Sequence, residues 1–107
     1  MVCGNELWIF YSQTGDKPEK IMLSRINIDT DWLDWKASLP PQEVLRPEMP
    51  WEGTNYKIRP SKPGLGIKQN ALRDPYVYQE DENFYLLYSG SGEEAIGLAQ
   101  IKIQNCN

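Results

Sequence analysis

The order of apolar and polar positions along the chain is that of a β protein. Leu7-Trp8-Ile9-Phe10-Tyr11 and Phe84-Tyr85-Leu86-Leu87-Tyr88 are short unbroken apolar runs rich in aromatics, as expected of strands covered on both faces. Residues 21–28 and 95–103 follow these runs across Gly-containing turns and read as their partner strands. Residues 76–80 predict a further strand, closed by the polar turn Asp81-Glu82-Asn83. Pro40, Pro41, Pro47, Pro50, Pro60 and Pro63 make 40–72 mostly loop, with a short strand around Val44-Leu45. No segment carries a helical stripe. The expected class is all-β.

These runs belong to an internal repeat. Leu7 to Ser12 aligns with Phe84 to Ser89, and each copy then reaches a Gly and an acid, Gly15-Asp16 and Gly92-Glu93. Glu19 to Ile28 then aligns with Glu94 to Ile103, with only the insertion Lys17-Pro18 between the copies. Both copies also change apolar phase at the same place, from Ile21 and Leu23 to Ile26 and Ile28, and from Ile96 and Leu98 to Ile101 and Ile103. In a strand this moves the buried side to the other face unless a bulge intervenes. A period near 75 residues suits a large repeated unit rather than a short solenoid repeat. Radially stacked blades of four antiparallel strands explain strands buried on both faces. The expected architecture is therefore a partial β-propeller, about one and a half blades. Strands B, C and D of one blade fall within 1–46, a connecting loop spans 47–75, and strands A, B and C of the next fall within 76–107. The alignment sets Met1 opposite Tyr78, inside a strand A, which reads as truncation.

At 107 residues with 40% hydrophobic and 24% charged content, the chain has the composition of an ordinary globular domain. A net charge of −4 with scattered Lys and Arg gives no electrostatic draw to nucleic acid or an anionic membrane. No apolar run nears the roughly 20 residues that cross a bilayer, and the N-terminus lacks a signal-peptide pattern; neither assigns a compartment. There is no histidine, which excludes histidine-activated nucleophiles and histidine metal sites and leaves carboxylates as acid–base groups. No cofactor or metal is implied. Cys3 and Cys106, lacking a partner motif, are expected to be free thiols. Gly64-Leu65-Gly66 lacks the strand–helix context and third glycine of a dinucleotide fingerprint.

Leu72-Arg73-Asp74-Pro75, followed by Tyr76-Val77-Tyr78, an acidic turn and Phe84 to Ser89, resembles the opening of an innermost strand in the five-bladed propellers of glycoside hydrolase families 43 and 32. Tyr11-Ser12, Gly15-Asp16, the Trp32 and Trp35 pair, Trp51-Glu52-Gly53 and Gly92-Glu93 extend the resemblance over nearly the whole chain. It implies a glycosidase acting on oligosaccharides through carboxylates, with Asp74 as the aspartate that holds the sugar and tunes a neighbouring acid. Arg73 would keep Asp74 ionised or bind a sugar hydroxyl. The residue-level alternative is that Asp74 caps a turn before Pro75. Glu52 is the candidate general acid or an ordinary surface glutamate. Trp51 stacks on a sugar face or packs in the protein. Glu93 binds a hydroxyl or serves the same structural role in each blade as Asp16. Asp74, the Trp51-Glu52-Gly53 loop and the Ser89–Glu93 loop are expected to converge on one face, with Trp32 and Trp35 packed on the opposite one. The families' base or nucleophile lies in a first blade outside this chain, so the chain alone is expected to be inactive. The alternatives are a non-catalytic carbohydrate-binding propeller or an inactive gene fragment. Self-association through exposed strand edges is also expected.

Overall fold

The computed structural model describes residues 1–62, 68–103 and 106; Gly64-Leu65-Gly66 lies outside them. The fold is all-β, with two antiparallel sheets, neither closed into a barrel. The first sheet has the order β1-β2-β3-β4, formed by Val2–Cys3, Glu6–Tyr11, Ile21–Asn27 and Gln42–Leu45. The second has the order β5-β6-β7, formed by Leu72–Glu80, Asn83–Gly90 and Ala95–Ile101. Two single-turn 3₁₀ helices, Trp32–Asp34 and Pro50–Glu52, interrupt the loops.

The strand registers reproduce the sequence repeat. Tyr11 pairs with Met22, Phe10 with Leu23 and Ile9 with Ser24. At the aligned positions Tyr88 pairs with Gly97, Leu87 with Leu98 and Leu86 with Ala99. The correspondence reaches β1, where Val2 opposite Leu7 matches Gln79 opposite Phe84.

Paired residues share a face and successive residues alternate. One face of the second sheet, carrying Leu72, Val77, Leu86, Tyr88, Ala99 and Ile101, packs on the face of the first that carries Phe10 and Ile21. This inner contact is the core. The other faces are apolar and less covered: on the second sheet Tyr76, Tyr78, Ile96 and Leu98 are exposed and Leu87 half-buried, and on the first Val2 and Ile9 are exposed while Leu7, Tyr11 and Met22 are half-buried. Equivalent residues therefore differ sharply in environment. Ile21 is 0% exposed and its counterpart Ile96 81%; Leu23 is 4% and Leu98 63%; Leu86 is 0% and Ile9 40%.

The shared phase change has a simple origin. The ladder between β2 and β3 runs without interruption from Met22 to Asn27, so no bulge intervenes and the apolar side does move to the other face. β6 and β7 behave in the same way, and Ile101 faces the core while Ile96 and Leu98 face outward.

Three expectations are corrected. The strand expected at 76–80 begins at Leu72, because an irregularity between Arg73 and Tyr76 takes Asp74 and Pro75 out of the ladder without ending it. Cys3 and Cys106 are joined as a disulfide, their Cα atoms 4.8 Å apart, rather than free, although they are 103 positions apart in the chain. The Trp32 and Trp35 pair is not packed away. Asp31 caps the Trp32–Asp34 turn through the Leu33 N–H at 3.1 Å, which leaves Trp32 70% exposed. Trp35 donates its indole N–H to the Thr30 carbonyl at 3.2 Å and is also exposed.

Candidate functional site

The second sheet enters beside the end of the first. Glu19 and Ala71 form a parallel bridge, and the Leu72 N–H donates to the Glu19 carbonyl at 2.9 Å. This brings Arg73 against Glu19. Both side chains are buried, with Nη2 to Oε1 at 2.9 Å, and the Ser12 hydroxyl donates to the other Glu19 oxygen at 2.7 Å. Arg73 Nη2 also donates to Gln69 Oε1 at 3.1 Å, and Nη1 lies 3.8 Å from the half-exposed Glu93. Arg73 thus pairs with Glu19 and Glu93 rather than with Asp74, its side chain buried against Glu19.

Asp74, the next residue, has φ 56° and is exposed. Among the common residues, aspartate is one of the few that tolerates this left-handed conformation. Its carboxylate makes no hydrogen bond or ion pair among the described residues, so the turn-capping alternative finds no supporting contact. A residue held in a sparsely populated backbone region with its side chain free is a candidate for function.

The Trp51-Glu52-Gly53 and Ser89–Glu93 loops meet, and the second also contacts the start of β5 at Ala71 and Arg73, whereas Asp74 makes no hydrogen bond to either loop among the described residues. The Ser91 N–H donates to the Glu52 carbonyl at 2.9 Å, the Gly92 N–H donates to the Ala71 carbonyl at 3.2 Å, and Glu93 reaches Arg73. The loop between β4 and β5 also holds the corresponding turn of the first sheet, where Gly15 N–H donates to Ser61 Oγ at 2.9 Å.

Within this cluster the Trp51-Glu52-Gly53 motif is occupied with packing. Glu52 is buried; one carboxylate oxygen accepts the Glu48 and Met49 N–H groups, both at 2.9 Å, and the other accepts the Tyr88 hydroxyl at 2.7 Å. Burial, and then the hydrogen bond to Glu52, push the Tyr88 phenol well above its ordinary range. Trp51 stacks on Tyr88 with ring centroids 6.2 Å apart, above Gly97, where any side chain would strike both rings. Gly53 has φ 108° and lies so close to the Gln69 carbonyl that a Cβ would collide with it. Glu52 as held here does not face solvent, and Trp51 offers only part of its ring.

Glu19 was missed as a site residue. Its signal was an acid at the mouth of an otherwise apolar strand, repeated at Glu94.

The chain is 35% identical over 104 residues to an uncharacterised protein, R118, of Acanthamoeba polyphaga mimivirus. The match covers 96% of this chain and 29% of that protein, so the chain spans less than a third of its relative's length. No family model matches the chain, and no solved structure matches it significantly.

Proposed function

We propose that the chain is part of a five-bladed propeller of the glycoside hydrolase 43 and 32 type, and that Asp74 is its contribution to a sugar pocket. Two sheets of identical register, stacked face to face with apolar outer faces on both sides, support a radial array. So does the exposed Glu94, the counterpart of buried Glu19, which a further unit could neutralise as Arg73 does Glu19. The relative, 29% of which is 104 aligned residues, is roughly 360 residues long, about five units of this repeat.

The observation that carries the reading is the free, exposed Asp74 carboxylate, left-handed at a ladder irregularity and beside the Arg73–Glu19–Glu93 cluster. Such a group stabilises positive charge developing on a sugar ring or accepts its hydroxyls. For the chain by itself a sugar-binding role is favoured over turnover. Glycoside hydrolysis uses two carboxylates with access to the scissile bond; Glu52 is enclosed and Glu93 leans on Arg73, so Asp74 would need a partner carboxylate from elsewhere.

Amide NMR titration with arabino-, xylo- and fructo-oligosaccharides tests this reading. The expected result is saturable shifts at Arg73–Tyr76 and Ser91–Glu93 that disappear in Asp74→Asn. Absence of shifts there at millimolar sugar, or equal shifts in the variant, would remove Asp74 from sugar recognition.

A further inference from the structure

We infer that the two uncovered sheet faces are complementary halves of one contact, and that copies of this chain join head to tail through them. The inner contact is the template. It is made by the Phe10, Ile21 and Leu23 face of the first sheet and the Leu86 and Tyr88 face of the second. The outer face of the second sheet carries half-buried Leu87 and exposed Ile96 and Leu98, the counterparts of Phe10, Ile21 and Leu23. The outer face of the first carries exposed Ile9 and half-buried Tyr11, the counterparts of Leu86 and Tyr88. Each free face thus repeats one side of an interface that already exists within the molecule.

A local feature gives the docking its register. A shallow trough on the second sheet is lined by Tyr78, Tyr85, Leu87 and Leu98, with Glu80 at its edge. Its equivalent in the first sheet, lined by Met1, Trp8 and Phe10, is walled by Val77 and Phe84 of the second. Leu7 is the counterpart of Phe84, so Leu7 of a second copy sits over the Tyr78–Leu98 trough. Contiguous exposed apolar faces of this kind mark interaction surfaces. The two surfaces differ, so the contact is heterologous and continues from copy to copy until a ring closes or a chain grows. This inference rests on the radial-array reading above, with a second copy of the chain taking the place of a further unit, and not on its sugar chemistry, so it can fail while Asp74 still binds sugar.

Sedimentation velocity and light scattering over a concentration series test it, with Leu98→Lys blocking one face and Ile9→Lys the other. The wild-type mass is expected to rise with concentration. Each variant alone is expected to stay monomeric, with its dissociation constant raised at least tenfold. Their equimolar mixture should form a species of twice the monomer mass and nothing larger, because each partner keeps one intact face. Tyr76→Lys and Val2→Lys, both at exposed positions on the same two faces, repeat the test where either first variant fails to fold by circular dichroism. A wild type that is monomeric at every concentration overturns the inference. So does an Ile9→Lys protein that still dimerises, which would indicate a symmetric contact, or association untouched by any variant, which would indicate pairing of strand edges.

Discussion

Ile21 and Ile96 hold the same place in two copies of one unit, yet the first is sealed in the core and the second stands in solvent. The same is true of Leu23 and Leu98, and in reverse of Leu86 and Ile9. Their strands pair in the same register, so local structure does not account for the difference. What differs is whether a neighbouring sheet is present. The burial of an apolar residue in this repeat is decided by which side of the molecule it falls on.

Substitutions at paired positions test whether the neighbouring sheet, and not the strand itself, sets this difference. The largest asymmetry is expected at the charges. Arg73→Met strands Glu19 without its cation in a buried site and should cost about 3–5 kcal/mol in urea unfolding, whereas Glu94→Gln at the exposed counterpart should stay within about 0.5 kcal/mol. Similar effects at both would mean that Glu19 is not buried as described. Next come the isoleucines. Ile21→Ala is expected to lower stability by about 2–4 kcal/mol, and Ile96→Ala, measured below the association range, by less than about 0.5 kcal/mol. Equal losses would contradict the stacking. Smaller is Gly97→Ala, where the added methyl meets the rings of Tyr88 and Trp51 at 2.5 and 2.7 Å; overpacking predicts a loss of about 1–3 kcal/mol. An unaffected melting temperature would show that Trp51 does not rest there.

The smallest effect separates Tyr88 from Tyr11. Tyr88→Phe removes the hydrogen bond to buried Glu52 and should cost about 1–2 kcal/mol, against less for Tyr11→Phe, whose hydroxyl accepts only a 3.3 Å bond from Ser24. The raised Tyr88 phenol also gives a pH signature. The unfolded chain releases this proton near the ordinary phenol value of 10.0 while the folded chain retains it, so stability is unaffected below that pH and falls as pH rises above it. In Tyr88→Phe this alkaline fall should be shallower; an identical slope would argue against the burial of Tyr88.

Much of this organisation was legible because it is periodic. The aromatic runs at 7–11 and 84–88, the partner strands and the repeat alignment follow from alternation, and the registers agree residue by residue. The phase change at Ile26 and Ile101 could be seen but not interpreted, since a bulge and a change of covered face leave the same trace in sequence. The site was less legible. Glu52 and Trp51 sit in a motif that suits sugar chemistry, but their surroundings depend on Tyr88 and Gly97, which lie more than thirty positions away. Arg73 adjoins Asp74 in the chain and pairs instead with Glu19, because the bridge at Ala71 sets the two sheets side by side. The cysteine pairing likewise joins residues 103 positions apart, with no local motif to announce it.

Methyl nuclear Overhauser spectroscopy on dilute chain tests the repeat-and-stack account most directly. It predicts contacts from the Ile21 methyls to Leu86 and the Tyr88 ring, and no contact from the Ile96 methyls to any residue of the first sheet. Ile96 methyls in contact with the first sheet, or Ile21 lacking contacts to the second, would contradict it.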